Sequence, residues 1–97
     1  FSVGGSGVIS VLSNIIPKDV HNMVYSFLDG NIKNAIKLQL DTLNLTASLF
    51  SEVNPIPIKA ACNMLGYDVG IPRLPLIEMS VEAKEKLKQE IKNYGLL

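Results

Sequence analysis

Lys59 is the residue of this chain whose type and setting invite a chemical reading. It stands two residues after the second proline of Asn54-Pro55-Ile56-Pro57-Ile58-Lys59, and a desolvated lysine amine can attack a ketone to form a Schiff base. The same position near a helix start also suits a structural ion pair or a side chain that snorkels to water, and that reading is preferred. His21 is the one histidine, and it falls on the opposite side of its helical pattern from Val20, Val24 and Phe27, as a surface histidine would. Cys62 is the one cysteine. It cannot form an internal disulfide, and its apolar neighbours mark it as a small buried hydrophobe in a reducing compartment rather than a reactive thiol.

Other candidate chemistry fails on spacing. One Cys and one His far apart do not make a metal-ligand pattern. Ser10 and Ser13 lack a histidine in any recognisable nucleophile motif, and Gly4-Gly5-Ser6-Gly7 lacks the lysine of a phosphate loop. Asn44-Leu45-Thr46 fits the glycosylation pattern, yet it lies in a helical pattern of a chain without secretion signals, so chance accounts for it. The charges from Lys84 to Lys92 read as a solvated helix face.

Composition narrows the partners. Across 97 residues, nine basic side chains balance nine acidic ones, which leaves no basic footprint for nucleic acid and no polybasic membrane patch. Hydrophobic residues make up 47% and charged residues 19%, with a mean hydropathy of +0.26. So apolar a small unit is expected to give some of that surface to a partner. Phe1 to Ile16 lacks a basic leader and is broken by glycines, so it is not read as a signal peptide. No stretch reaches the roughly 18 apolar residues of a membrane span. A chain that starts abruptly inside an apolar glycine-rich segment looks like a fragment.

The elements that must position these residues are mainly helical. Val8-Ile9-Ser10-Val11-Leu12 is rich in β-branched residues and reads as one strand buried on both faces. No second strand pattern accompanies it, so its partners are missing, supplied by another copy, or replaced by a local refolding. Pro17 opens a helix in which Val20, Met23, Val24, Phe27 and Leu28 recur at helical spacing, and Gly30 stops it. Asn31 caps a second helix whose face Ile32, Ala35, Ile36, Leu43, Ala47 and Phe50 is opposed by Leu38, Leu45 and Leu49, and the short link makes the pair an antiparallel hairpin. Asn54 is expected to cap a third helix, with Pro55 and Pro57 in its first turn, running through Met64 to Gly66. Residues 67–79 read as an extended loop. Ser80 caps a last helix with a stripe of Ala83, Leu87, Ile91 and Tyr94, ended by Gly95.

Three segments then give the chain a family likeness. Gly4-Gly5-Ser6-Gly7-Val8-Ile9-Ser10-Val11, Glu52-Val53-Asn54-Pro55-Ile56-Pro57-Ile58-Lys59 and Arg73-Leu74-Pro75-Leu76 resemble, in order and separation, the C-terminal third of the dihydrodipicolinate synthase family of pyruvate-dependent lyases. Related sialate and keto-deoxy-sugar aldolases share that fold but match the Asn-Pro-Ile-Pro-x-Lys segment less well. The resemblance implies a mainly α fold of about four helices with at most one short strand, derived from the end of a TIM (β/α)8 barrel. Residues 1–30 would be the last barrel strand and helix, and residues 31–97 a C-terminal helical extension.

The resemblance also implies a parent enzyme of lysine (diaminopimelate) biosynthesis. It would condense pyruvate with aspartate semialdehyde through a lysine Schiff base, with a tyrosine and a threonine passing protons. Those residues belong to earlier strands of the family, so no catalytic, cofactor-binding or metal-binding role passes to Lys59, Tyr25, Tyr67 or Tyr94. The expected parent is cytoplasmic, homotetrameric and free of cofactors, and the fragment alone is expected to be inactive and to self-associate. The alternatives are a stand-alone helical interaction or oligomerisation module, which would have no use for Val8 to Val11, and the C-terminal part of a related pyruvate aldolase of the sialate or keto-deoxy-sugar type.

Overall fold

The computed structural model describes residues 1–97. Five α-helices follow one 3-10 turn at Leu12–Asn14: α1 Pro17–Leu28, α2 Ile32–Asp41, α3 Leu43–Leu49, α4 Ile56–Met64 and α5 Val81–Tyr94. The mainly α class is as expected, with no strand. The strand read at Val8 to Leu12 is a correction: residues 5–10 lack regular structure and Leu12 already belongs to the 3-10 turn. A β-prone segment needs a neighbour to complete its ladder, and this chain offers none.

Local chemistry sets most helix ends. Pro17 fills the first position of α1, where its missing amide removes no helix bond. The Asn31 side chain accepts the Asn34 amide at 3.2 Å to start α2, and Ser80 Oγ accepts the Ala83 amide at 3.4 Å to start α5. At the end of α5 the Leu96 amide donates to the Ile91 carbonyl and the Gly95 amide to that of Lys92. This is the paired closure of a Schellman motif, and it requires the positive φ of 96° that Gly95 adopts.

Two boundaries differ from the sequence reading. The helix expected from Asn31 through Phe50 is divided at Thr42, whose hydroxyl donates back to the Gln39 carbonyl at 3.1 Å. Such back-bonding competes with the helix ladder and bends it, and it satisfies a hydroxyl that is otherwise fully buried. The third expected helix begins one residue late, because Pro55 rather than Asn54 is its N-cap and no side chain caps it. The turn is closed instead by the Ile56 amide, which donates to the Val53 carbonyl at 2.9 Å.

The core joins α3, α4, α5 and the 3-10 turn. Leu45, Leu49, Ala61, Leu87 and Ile91 are almost wholly buried, and Leu12, Ile15 and Ile16 pack into the same cluster. The core therefore begins before Pro17, earlier than the helical pattern implies. The helix α1 lies against α2 but buries none of its residues. The radius of gyration is 14.4 Å, against about 12–13 Å for a compact domain of this length. The chain is looser than a closed globule because α1 and the first ten residues lie outside the core.

Candidate functional site

The segment before α1 is irregular and leaves most of its backbone groups without partners in this chain. No backbone–backbone hydrogen bond links residues 5–10 to the rest of the molecule, and Val8 is 58% and Ile9 fully exposed. The segment ends on a fixed base. Ser13 Oγ donates to the Ser10 carbonyl at 2.8 Å, the Ser13 amide donates to Ser10 Oγ at 3.1 Å, and Asn14 Nδ2 donates to the Val11 carbonyl at 3.0 Å. Buried Leu12, Ile15 and Ile16 then anchor that base in the core. Such a segment can accept strand partners along its backbone edges.

Apolar surface flanks it. A cleft of about 430 Å³ is lined by Phe1 and Val8, by Met23, Val24 and Phe27 of α1, and by Ile32, Ile36 and Leu40 of α2. The Phe1 and Phe27 rings stack there with centroids 5.9 Å apart. A second cleft of about 230 Å³ places Val8 to Leu12 beside Val20 and Phe50. Ile36, Leu40, Leu43 and Phe50 are each about half exposed. Much of the chain's apolar excess thus faces water at these positions.

The residues that invited chemical readings lie apart from this surface. Lys59 is half-buried, and its Nζ donates to the Val69 carbonyl at 3.2 Å with no carboxylate paired to it. The ion pair expected there is thus a hydrogen bond that ties α4 to the following loop. Asn63 strengthens that tie, accepting the Val69 amide at 3.0 Å and donating to the Gly70 carbonyl at 2.9 Å. Cys62 is half-buried against the core, and burial pushes its thiol pKa up while the Lys59 charge pulls the other way. His21 is exposed and stacks on Tyr25 at 4.4 Å. No group of three or more His, Cys, Asp or Glu side chains is placed to hold a metal ion. No helix is long and apolar enough to cross a membrane.

Two long-range polar contacts had no signature in the sequence. Glu52 Oε2 accepts the Ser80 hydroxyl at 2.7 Å. Tyr94 Oη donates to Asp19 Oδ2 at 2.6 Å. The types were visible as a cap and an apolar stripe, but neither pattern names a partner far away in the chain.

An irregular apolar segment followed by five packed helices has the architecture of the C-terminal helical part of a TIM-barrel enzyme. The chain belongs to the dihydrodipicolinate synthetase family, which it matches over residues 1–94. It is 54% identical over 96 residues to the 4-hydroxy-tetrahydrodipicolinate synthase of Acetivibrio thermocellus, covering 99% of this chain and 33% of that enzyme. It is 55% identical over 96 residues to 4-hydroxy-tetrahydrodipicolinate synthase 1 of Clostridium acetobutylicum, with the same coverage. Among solved structures, the dihydrodipicolinate synthase of Thermotoga maritima superimposes with a TM-score of 0.94 at 38% identity, over 99% of this chain and 32% of that one. That of Cyanidioschyzon merolae with lysine bound gives 0.94 at 40% identity, over 99% and 33%. The chain therefore spans about a third of the length of the relatives it matches, and that third is the C-terminal one.

Proposed function

We propose that this chain is the barrel-closing end of a 4-hydroxy-tetrahydrodipicolinate synthase, a lyase that condenses pyruvate with aspartate semialdehyde through a lysine Schiff base. The observation that carries this reading is identity above 50% across 99% of the chain to enzymes of that name. In it, residues 1–30 supply the last barrel strand and helix, and residues 31–97 form the helical extension. The Schiff-base lysine and the proton-passing tyrosine and threonine lie on earlier strands. Lys59, engaged with a backbone carbonyl, keeps a structural role.

What these residues contribute is shape. Active sites of such barrels stand at the C-terminal ends of the strands, which makes the turn at Ser10 to Asn14 part of the floor of the site. The extension packs behind that turn through Leu87 and Ile91. The parent is read as a cytoplasmic homotetramer that uses no metal or organic cofactor. The half-exposed Ile36, Leu40, Leu43 and Phe50 supply apolar surface for a subunit contact and for self-association of this piece. A free-standing helical module is the weaker reading, since it would have no use for an exposed Ile9 at the end of an unpaired segment.

Complementation tests the proposal. This chain would be co-expressed with the first two-thirds of the Acetivibrio thermocellus enzyme, and the pair incubated with pyruvate and borohydride. The expected result is condensing activity from the pair, neither half being active alone, with the pyruvate mass adduct on the larger piece. An adduct on this chain, or a pair that binds but prefers the aldehyde of a sialate or keto-deoxy-sugar aldolase, would sink it.

A further inference from the structure

Tyr94 lies in the last turn of α5 and Asp19 in the first turn of α1, 75 residues away, yet their side chains meet at 2.6 Å. Asp19 is two residues beyond Pro17, so a contact that holds Asp19 holds the start of α1. That start is joined through Ile15 and Ile16 to the turn at Leu12–Asn14, with the Ile15 and Ile16 amides both donating to the Leu12 carbonyl at 3.1 Å. The same helix α5 packs Leu87 and Ile91 into the cluster that holds Leu12, Ile15 and Ile16. Apolar packing resists separation but has no direction, whereas a short hydrogen bond fixes register.

The surroundings of the pair favour this partnership. Asp19 and Tyr94 share an open cleft of about 510 Å³ with Asp41, Glu90, Asn44 and Asn93. Asp41 is already held by Lys37 at 2.6 Å. Burial, followed by the Asp19 and Asp41 carboxylates, pushes the Tyr94 phenol well above its usual pKa, so it remains a donor.

The geometry points to Tyr94 as a positioning residue that, through Asp19, sets where the Ser10 to Asn14 turn stands relative to the helical extension. The link to catalysis rests on the proposed function above, whereas the link to the turn does not. Tyr94→Phe and Asp19→Ala would be made singly and together in this chain, and amide hydrogen exchange followed at Asn14, Ile15 and Ile16, with the amides of α4 as reference. Either single variant is expected to exchange about fivefold faster at the turn, the double variant no faster than either, and α4 unchanged. Unaltered turn protection, or an equal rise in α4, would overturn the assignment.

A second arm joins the first two-thirds of the Acetivibrio thermocellus enzyme to this chain. There Tyr94→Phe is expected to lower kcat about fivefold while leaving the KM for pyruvate in place, and an unmoved kcat overturns the positioning role. A chimera inactive with Tyr94 intact counts against the proposed function instead, and the exchange result then decides the positioning role by itself.

Discussion

The Glu52 carboxylate caps the last helix from 28 residues away, accepting the Ser80 hydroxyl at 2.7 Å and standing 3.4 Å from the Ser80 amide nitrogen. Ser80 turns its own oxygen toward the Ala83 amide, so one carboxylate orients the residue that starts α5. A negative charge at a helix N-terminus also meets the positive end of the helix dipole. Glu52→Gln is expected to lower stability by about 1 kcal/mol, and Glu52→Ala by somewhat more. Urea unfolding checks both, and an unchanged midpoint for the alanine variant would reject the cap.

The core makes a sharper demand. Leu87 is fully buried where α5 meets α3 and α4. Leu87→Ala is expected to cost about 2–5 kcal/mol, a large share of the roughly 5–15 kcal/mol that holds typical domains. Ile36→Ala, on a half-exposed position of α2, should stay within about 0.5 kcal/mol. Equal losses for the two variants in urea titrations would mean that the cluster around Leu87 is not the core.

Cys62 sets a pH expectation. Burial raises the thiol pKa more than Lys59 lowers it, so at a given pH the folded chain holds less thiolate than an unfolded one. The thiolate is the nucleophile, and alkylation by iodoacetamide should therefore be slow near neutral pH and take hold at higher pH than for an ordinary cysteine. For stability the sign follows from the raised value. The contribution is fully present below the unfolded pKa, near 9, and is lost as pH rises through the folded one. Alkylation in urea should return to the rate of a free thiol, and equal rates in the folded and unfolded chain would contradict the half-buried placement.

What the sequence disclosed, and what it hid, divide along the range of the interactions. Pro17, Gly30, Ser80 and Gly95 announced helix ends because caps and stops act within a few residues. The division at Thr42 was hidden, since a threonine inside a helical pattern shows neither its burial nor its bond to Gln39. Tyr94 to Asp19 and Glu52 to Ser80 were hidden for a different reason: side chains brought together by packing leave no periodic trace. Val8 to Leu12 was legible as β-prone composition, yet a strand is a property of at least two segments. The apolar excess was visible in composition, but only the structure located it on the first residues, α1, α2 and the end of α3.

Ile9 offers the clearest separation between folding of this chain and its proposed joining to the earlier part of the enzyme. Its side chain is fully exposed to water, and its own amide and carbonyl make no backbone–backbone hydrogen bond. Nothing in the present fold depends on it, so Ile9→Asp should leave stability within about 0.5 kcal/mol. If residues 8–11 become a strand buried on both faces once neighbouring strands pair with them, the same aspartate must be buried without a partner. An uncompensated buried charge is far costlier than the loss of one apolar contact. The Ile9→Asp chain is therefore expected to fold as before and to fail to complement the first two-thirds of the Acetivibrio thermocellus enzyme, whereas Ile9→Val complements. Amides of residues 7–11 should exchange freely in the chain alone and become protected only in the complemented pair. Complementation by the aspartate variant would show that this segment does not enter a sheet.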